Sequence, residues 1–195
     1  MLSKSTNWQP FINKTIGNNI NNLHKLSKNR YIKKCVGRSL SLGTGAGNDV
    51  VDLLISKWEV TGIDIESICE QVVLDQLKGT HTGVFLFQNT SLVNMELSGK
   101  YDYVSAFNVL PFINKNELPS IINNISIHMC KSGIFAFNMF GKNHSFIKTN
   151  SVYSITEVSI KTLLFDFNIS HKKRVQYIKK DGTHWDTINI IAIKK

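Results

Sequence analysis

Cysteine is scarce in this chain of 195 residues: there are three, Cys35, Cys69 and Cys130. They are odd in number, widely spaced and never arranged as CxxC, which excludes a disulfide framework and a thiolate zinc site, so no metal is expected. All three are expected as packed thiols in apolar helix or strand contexts. Long apolar runs are missing too. None approaches the length of a membrane span, and the polar start "MLSKSTNWQP" lacks the apolar stretch of a secretory signal. The expectation is a soluble, cytoplasmic protein with no membrane partner. Acidic residues are in short supply, 14 against 23 lysines and arginines, for a net charge of +9. Such a balance can mark a nucleic-acid partner. Here the cations are overwhelmingly lysine in a chain rich in Asn, Ile and Phe, a bias that an A/T-rich coding sequence produces. The clusters "HKLSKNRYIKK" and "HKKRVQYIKK" are read as solvated faces rather than phosphate-binding patches, so nucleic acid is not expected as a partner.

What is present is a regular alternation. At 195 residues and 42% hydrophobic content, the chain can build one α/β core and is too short for two comfortable ones. A single domain over 1–195 is expected, with an N-terminal helical region in 1–34 and the core in 35–195. After helix over about 11–29, strands near 38–42, 59–63, 83–88, 101–107 and 133–139 alternate with helices near 48–57, 66–78 and 114–130. Strand, helix, strand, repeated, implies a doubly wound parallel sheet. The end of the chain departs from the rule. A helix that Thr156 can cap, "TEVSIKTLLFD", leads to two β-rich runs joined by Asp181-Gly182, an antiparallel hairpin signal.

The segment "SLSLGTGAGNDV" places Gly43, Gly45 and Gly47 within five positions, directly after the first strand. Glycine is used where the chain turns through positive φ or where another group touches the backbone. The following "NDVVDLLISKW" reads as a helix, with Asn48 as its cap, Asp49 in its first turn, and Val50, Leu53, Leu54 and Lys57 at helical spacing. In doubly wound sheets, ligands lie beyond the carboxyl ends of the strands and touch this first turn. The second strand, "WEVTGID", ends in Asp64, where a carboxylate can accept hydrogen bonds from both hydroxyls of a ribose. Asp64 also fits as a cap for "IESICEQVV". The dinucleotide fingerprint wants a glycine or alanine where Asn48 stands, and no GxxxxGK[ST] loop is present.

With its GxGxG turn and strand-end acid, the sequence resembles the class I S-adenosylmethionine-dependent methyltransferases from about Cys35 to the C-terminus. The resemblance implies a Rossmann-like seven-stranded sheet of order 3-2-1-4-5-7-6 with only strand 7 antiparallel. It implies S-adenosyl-L-methionine as cofactor, with Gly43, Gly45 and Gly47 passing its methionine part and Asp64 on its ribose. "YDYVSAFNVLPFI" looks like the fourth strand, with Phe107 and Asn108 facing the ligands and Asp102 at the structural end. "CKSGIFAFNMFGKN" looks like the fifth strand with its preceding turn. GxGND, "FAFNMFG" and a late "HW" are most similar to the small methyltransferases associated with tellurite and thiol detoxification.

Two positions depart from the family pattern. An acid that helps to place the methionine ammonium is replaced by Ser41, and one that meets the adenine amino group by Asn89. Each can still accept a hydrogen bond, without the charge. The function implied is methyl transfer to a small-molecule acceptor, with Asn108 and His144 at the acceptor site and His144 and His184 as candidate bases. The alternatives are an RNA methyltransferase, supported only by charge and lacking a (D/N)PPY-like sequence, and a degenerate cofactor-binding protein. The acceptor, the need for a base and the oligomeric state have no signal in the sequence.

Overall fold

The computed structural model describes every residue except 1–6, 81, 150, 151, 153, 155 and 156. A seven-stranded sheet runs in the order β3-β2-β1-β4-β5-β7-β6. Strands β1 (Arg38–Leu42), β2 (Glu59–Asp64), β3 (Phe85–Asn89), β4 (Tyr101–Ala106) and β5 (Met129–Phe140) pair in parallel. β7 (His184–Lys194) is antiparallel to both β5 and β6 (Phe167–Ile178). This is the expected order and polarity. The hairpin turns at Asp181-Gly182, where Gly182 has φ +80° and the Asp181 carboxylate accepts from the Thr183 N–H at 2.9 Å.

Both faces of the central strands are covered, which is why their apolar residues are continuous rather than alternating. Phe135 and Phe137 project to one face, with Leu40, Leu42 and Val104, and meet Ile121, Ile122 and Ile125 of α5 (Leu118–Ile127) and Ile160 and Leu164 at α7 (Glu157–Leu163). Ile134 and Ala136 project to the other, with Val60 and Tyr103, and meet Leu23 of α2 (Asn22–Arg30) and Val50, Leu53 and Leu54 of α3 (Asn48–Ile55). α4 (Ile68–Gln76) follows β2.

Several local expectations are corrected. The N-terminal helix is two: α1 (Gln9–Thr15) and α2, separated by a turn in which Gly17 has φ +71°. α3 ends at Ile55 and Lys57 lies past it at φ +67°, so the helical spacing holds for Val50, Leu53 and Leu54 only. β5 begins before the expected 133, because the "KSG" turn is an irregularity inside the strand. Ser132 takes φ +63°, and the register with β4 shifts between Tyr101 and Tyr103. Of the cysteines, Cys69 is buried, Cys130 is intermediate and Cys35 is exposed, so the packed-thiol expectation fails at Cys35. Thr156, the expected cap of the last helix, lies outside the described residues.

Candidate functional site

The glycine turn is held against β2 by two backbone bonds, from the Gly43 and Thr44 N–H groups to the Ile63 carbonyl at 2.8 and 3.2 Å. Its three glycines all have positive φ, +68°, +55° and +71°. Their surroundings differ. A Cβ on Gly43 would fall 2.8 Å from Val109 Cβ, and one on Gly47 would fall 2.2 Å from Val73 Cγ2. Gly45 alone faces space: its nearest neighbour would be the Gly43 carbonyl at 3.9 Å. The outer glycines therefore let the protein pack on itself, and the middle one keeps a gap open.

Asp64, at the end of β2, joins this gap. Its Oδ2 accepts from the Gly45 N–H at 2.9 Å, and its Oδ1 accepts from the Glu66 N–H at 3.0 Å. The carboxylate thus positions the middle glycine and starts the following turn, and with the Cys69 thiol as a further donor it still has acceptor capacity to spare. Cys69 lies beside it. Burial, with the Asp64 carboxylate adding to it, pushes the Cys69 thiol well up, so it stays protonated and acts as packing.

The other candidates take distinct places. Ser41 is buried in β1, between Gly62 and Ser105 on the flanking strands, and makes no side-chain hydrogen bond among the described residues. Asn89 ends β3 and is exposed; its Nδ2 donates to the carbonyls of Asp64 and Ile65 at 3.1 and 2.9 Å, leaving Oδ1 for another donor. Phe107 packs on the α2–α3 side of the core. Asn108 has φ +58° and is locked to Asn138 of β5: its N–H donates to Asn138 Oδ1 at 2.7 Å and its Oδ1 accepts from Asn138 Nδ2 at 2.8 Å. Its own amide NH2 is what it can still offer. Asp102, at the far end of β4, accepts from Lys34 Nζ and the Arg38 N–H, a structural role as expected.

The N-terminal segment covers the turn. Ile12 of α1 is buried with Ala46 of the turn and with Cys69 and Val72 of α4. The Trp8 N–H donates to Glu66 Oε1 at 2.9 Å, and its ring meets Phe112 edge-on at 5.0 Å. Asn48 does not cap α3; the N-cap is Gly47 in the left-handed region. Instead Asn48 ties α1 down, donating from Nδ2 to the Thr15 carbonyl at 2.8 Å and accepting from the Gly17 N–H at 3.0 Å. Asp49 accepts from the Asn21 N–H at 2.7 Å.

Beyond Asn108 lies a cluster of rings. Phe112, on a 3-10 turn over Leu110–Phe112, packs edge-on against Phe140 at 5.6 Å. His144 stacks on Phe140 with centroids 3.7 Å apart and planes 8° from parallel, and lies 5.2 Å from Phe146 and 4.8 Å from Trp185. It is fully buried. Nδ1 accepts from the Phe146 N–H at 3.2 Å, while Nε2 is buried with no partner among the described residues. A buried orphan of this kind costs about 1–3 kcal/mol. Burial pushes the pKa of His144 down, with the Lys179 charge helping and that of Asp186 opposing.

The loop that carries His144 is clamped by Asp186 of β7. This buried carboxylate accepts two bonds from Arg174, at 2.8 and 2.7 Å, and one from the Asn143 N–H at 3.0 Å. It crowds Gly141, where a Cβ would lie 2.4 Å from either oxygen. His184 stands elsewhere. It is exposed at the start of β7, its N–H donating to Ser145 Oγ at 2.8 Å, and it lines a cavity of about 500 Å³ with Asn143, Gln176, Tyr177 and Trp185. The structure therefore brings His144 into the ring cluster and leaves His184 on the hairpin arm. Sequence reasoning missed Trp8, Asn138 and Asp186. Only the last left a trace, as the acid following the "HW" already noted.

Residues 17–143 match the family model described as tellurite resistance protein TehB. The chain belongs to the TehB family. No curated protein sequence matches the chain. The solved TehB of Haemophilus influenzae superposes with a TM-score of 0.73 at 17% identity, over 89% of this chain and 61% of that one. The N-methyltransferase NodS of Bradyrhizobium japonicum WM9, in complex with S-adenosylhomocysteine, gives 0.72 at 14% identity, over 97% and 99%. Magnesium protoporphyrin IX methyltransferase of Synechocystis PCC 6803, with bound S-adenosylmethionine, gives 0.71 at 16% identity, over 98% and 92%. The Rossmann-like methyltransferase fold read from the glycine turn is the fold this TehB-family chain adopts. No helix among the described residues is long and apolar enough to cross a membrane.

Proposed function

We propose that this TehB-family chain transfers a methyl group from S-adenosyl-L-methionine to a small-molecule acceptor. The observation that carries the reading is Gly45. It is the one glycine of the turn whose missing Cβ would meet no protein atom closer than 3.9 Å, and its N–H is held by the acid that ends β2. A gap kept open beside a carboxylate with spare lone pairs is what a nucleoside cofactor needs. In this reading the backbone of Gly43, Gly45 and Gly47 and the Ser41 hydroxyl border the methionine part. Asp64 takes the ribose hydroxyls. Asn89 offers Oδ1 to the adenine amino group, its own NH2 being committed to the β2–α4 turn. Phe107 backs the pocket from the core, and Asn108 presents its amide to the acceptor.

S-adenosylmethionine, when bound, supplies a methyl group on a sulfonium leaving group. The work left to the chain is orientation and exclusion of water, and good alignment supplies roughly 7–11 kcal/mol of such a barrier. α1 and Trp8 serve exclusion, being strapped over the turn by Asn48 and Glu66. Asn138 serves orientation by fixing Asn108. Support for a small acceptor comes from the neighbours: besides the porphyrin enzyme, a 1,6-didemethyltoxoflavin N1-methyltransferase of Burkholderia thailandensis shares the fold, at 20% identity and a TM-score of 0.64. The positive charge adds little support for RNA, because Lys28, Lys34 and Arg174 of the two basic clusters are paired with Asp52, Asp102 and Asp186.

Calorimetry with S-adenosylmethionine, S-adenosylhomocysteine, NAD and ATP in parallel tests the cofactor. Binding confined to the first two is expected, and binding of NAD alone refutes the reading. Turnover of tellurite, selenite and small thiols by the same preparation then separates an active enzyme from a protein that only binds.

A further inference from the structure

The ring of His144 has two nitrogens in different situations. Nδ1 accepts the Phe146 N–H, so it carries a lone pair; in the neutral ring the proton then sits on Nε2. That N–H is buried and unpartnered among the described residues. Around the imidazole stand the rings of Phe140, Phe146 and Trp185. The charged groups whose fields reach it are Asp186 and Lys179. Asp186 is turned to Arg174 and the Asn143 N–H, and Lys179 lies over the Trp185 ring with its Nζ 4.0 Å from the centroid. A fixed loop, a fixed tautomer and an unspent donor thus meet near the carboxyl ends of β4 and β5, where this fold places its ligands.

We infer that His144 serves the methyl acceptor as a neutral hydrogen-bond donor, its Nε2–H gripping an oxygen of that molecule, and is not the base that deprotonates it. The inference rests on the methyl-transfer reading above. A base needs an available lone pair; here the lone pair on Nδ1 is spent on the backbone and Nε2 bears the proton. The acceptor is accordingly a compact molecule that carries an oxygen lone pair and arrives with its nucleophilic atom already unprotonated at neutral pH, or loses its proton to water. Phe146 and Trp185, the two rings beside His144 that are not fully buried, border the side from which the acceptor approaches.

The test uses the full chain, labelled with ¹⁵N-histidine and saturated with S-adenosylhomocysteine, with selenite and thioglycolate as oxygen-bearing probes. At pH 7 the His144 spectrum is expected to show the Nε2–H form, and its Nε2 signal is expected to move on titration with at least one probe. His144→Phe, which preserves the stack on Phe140, is expected to lose about tenfold or more in kcat/KM for whichever probe is methylated, with unchanged S-adenosylhomocysteine affinity. His144→Gln restores a donor and is expected to recover most of that loss, with no limb of the kcat/KM pH profile removed. An Nδ1–H or doubly protonated ring at pH 7 overturns the inference. So does an Nε2 signal that neither probe moves, or a pH limb that vanishes in His144→Gln. If the wild type fails to bind S-adenosylhomocysteine at all, the methyltransferase reading falls and this role of His144 with it.

Discussion

Gly45 and Gly47 share a backbone conformation and differ in what surrounds them, so the same substitution at each separates ligand space from packing space. An alanine at either position must hold the left-handed region, φ +55° or +71°, at a cost of about 1–2 kcal/mol. At Gly45 nothing more is added to the free protein, since the new methyl would lie 3.9 Å from its nearest neighbour. For a chain of this size a loss of about 1–2 kcal/mol lowers Tm by about 2–8 °C. At Gly47 the methyl would lie 2.2 Å from Val73 Cγ2, and Val73 is fully buried. Overpacking of that kind adds about 1–3 kcal/mol, so Gly47→Ala is expected to lower Tm by about 4–20 °C. The order reverses for binding. If the gap beside Gly45 is occupied by cofactor, a methyl there overpacks the complex by a similar amount and weakens S-adenosylhomocysteine about 5- to 150-fold. Thermal unfolding and calorimetry on the two variants read both quantities. Unchanged affinity in Gly45→Ala, or equal destabilisation of the two, would refute the division of labour within the turn.

Asp64→Ala removes the acceptor of the Gly45 and Glu66 N–H groups as well as the proposed ribose contact. It is expected to cost about 1–3 kcal/mol of stability and, in addition, more than tenfold in cofactor affinity by calorimetry. Asn48→Ala loses both ties to α1, and hydrogen exchange is expected to show faster opening of Gln9–Thr15 with Asn48–Ile55 little changed. Arg174, together with the Asn143 N–H, holds the Asp186 carboxyl below the usual carboxylate range. Its contribution is therefore complete above about pH 4 and is lost as the pH falls through the depressed value. The stability gap between wild type and Asp186→Asn, measured by denaturant unfolding, is expected to be constant from pH 5 to 8 and to close in stronger acid. Gln at the exposed Lys33, Lys173 and Lys180 is expected to leave methyl transfer unchanged, and gel shifts with total RNA at physiological salt are expected to show no tight complex. Arg174 is kept out of that set because it clamps the loop.

The central strands were legible as short apolar runs set off by polar turns and the closing hairpin from Asp181-Gly182, whereas their order followed from the family resemblance. The glycine turn was also legible: positive φ at Gly43, Gly45 and Gly47 leaves a mark in residue type. Where the outcome depended on a distant partner, local signals misled. Asn48 has the chemistry of a cap, but the Thr15 carbonyl ending α1 and the Gly17 N–H just past it lie within its reach, and a left-handed Gly47 takes the cap position. Lys57 sits at helical spacing from Leu53, yet it adopts φ +67° past the end of α3.

The ring cluster proposed for the acceptor was the least legible part, and the reason is the origin of its residues. Phe112, Phe140, His144, Phe146 and Trp185 come from a 3-10 turn, a strand end, a loop, a short helix and the last strand, and no spacing rule links them. Each taken alone reads as core. What distinguishes His144 from a packed histidine is the state of its two nitrogens, one spent on the backbone and one without a partner among the described residues, and that depends on a loop geometry imposed by Asp186 and Arg174 about 40 residues away in the chain or closer. Its nomination as a candidate base rested on residue type and could not read which nitrogen carries the proton. The proposed cofactor half is written in glycines and a strand-end acid, whereas the proposed acceptor half is written in contacts, and a fold can keep the first kind of signal while varying the second.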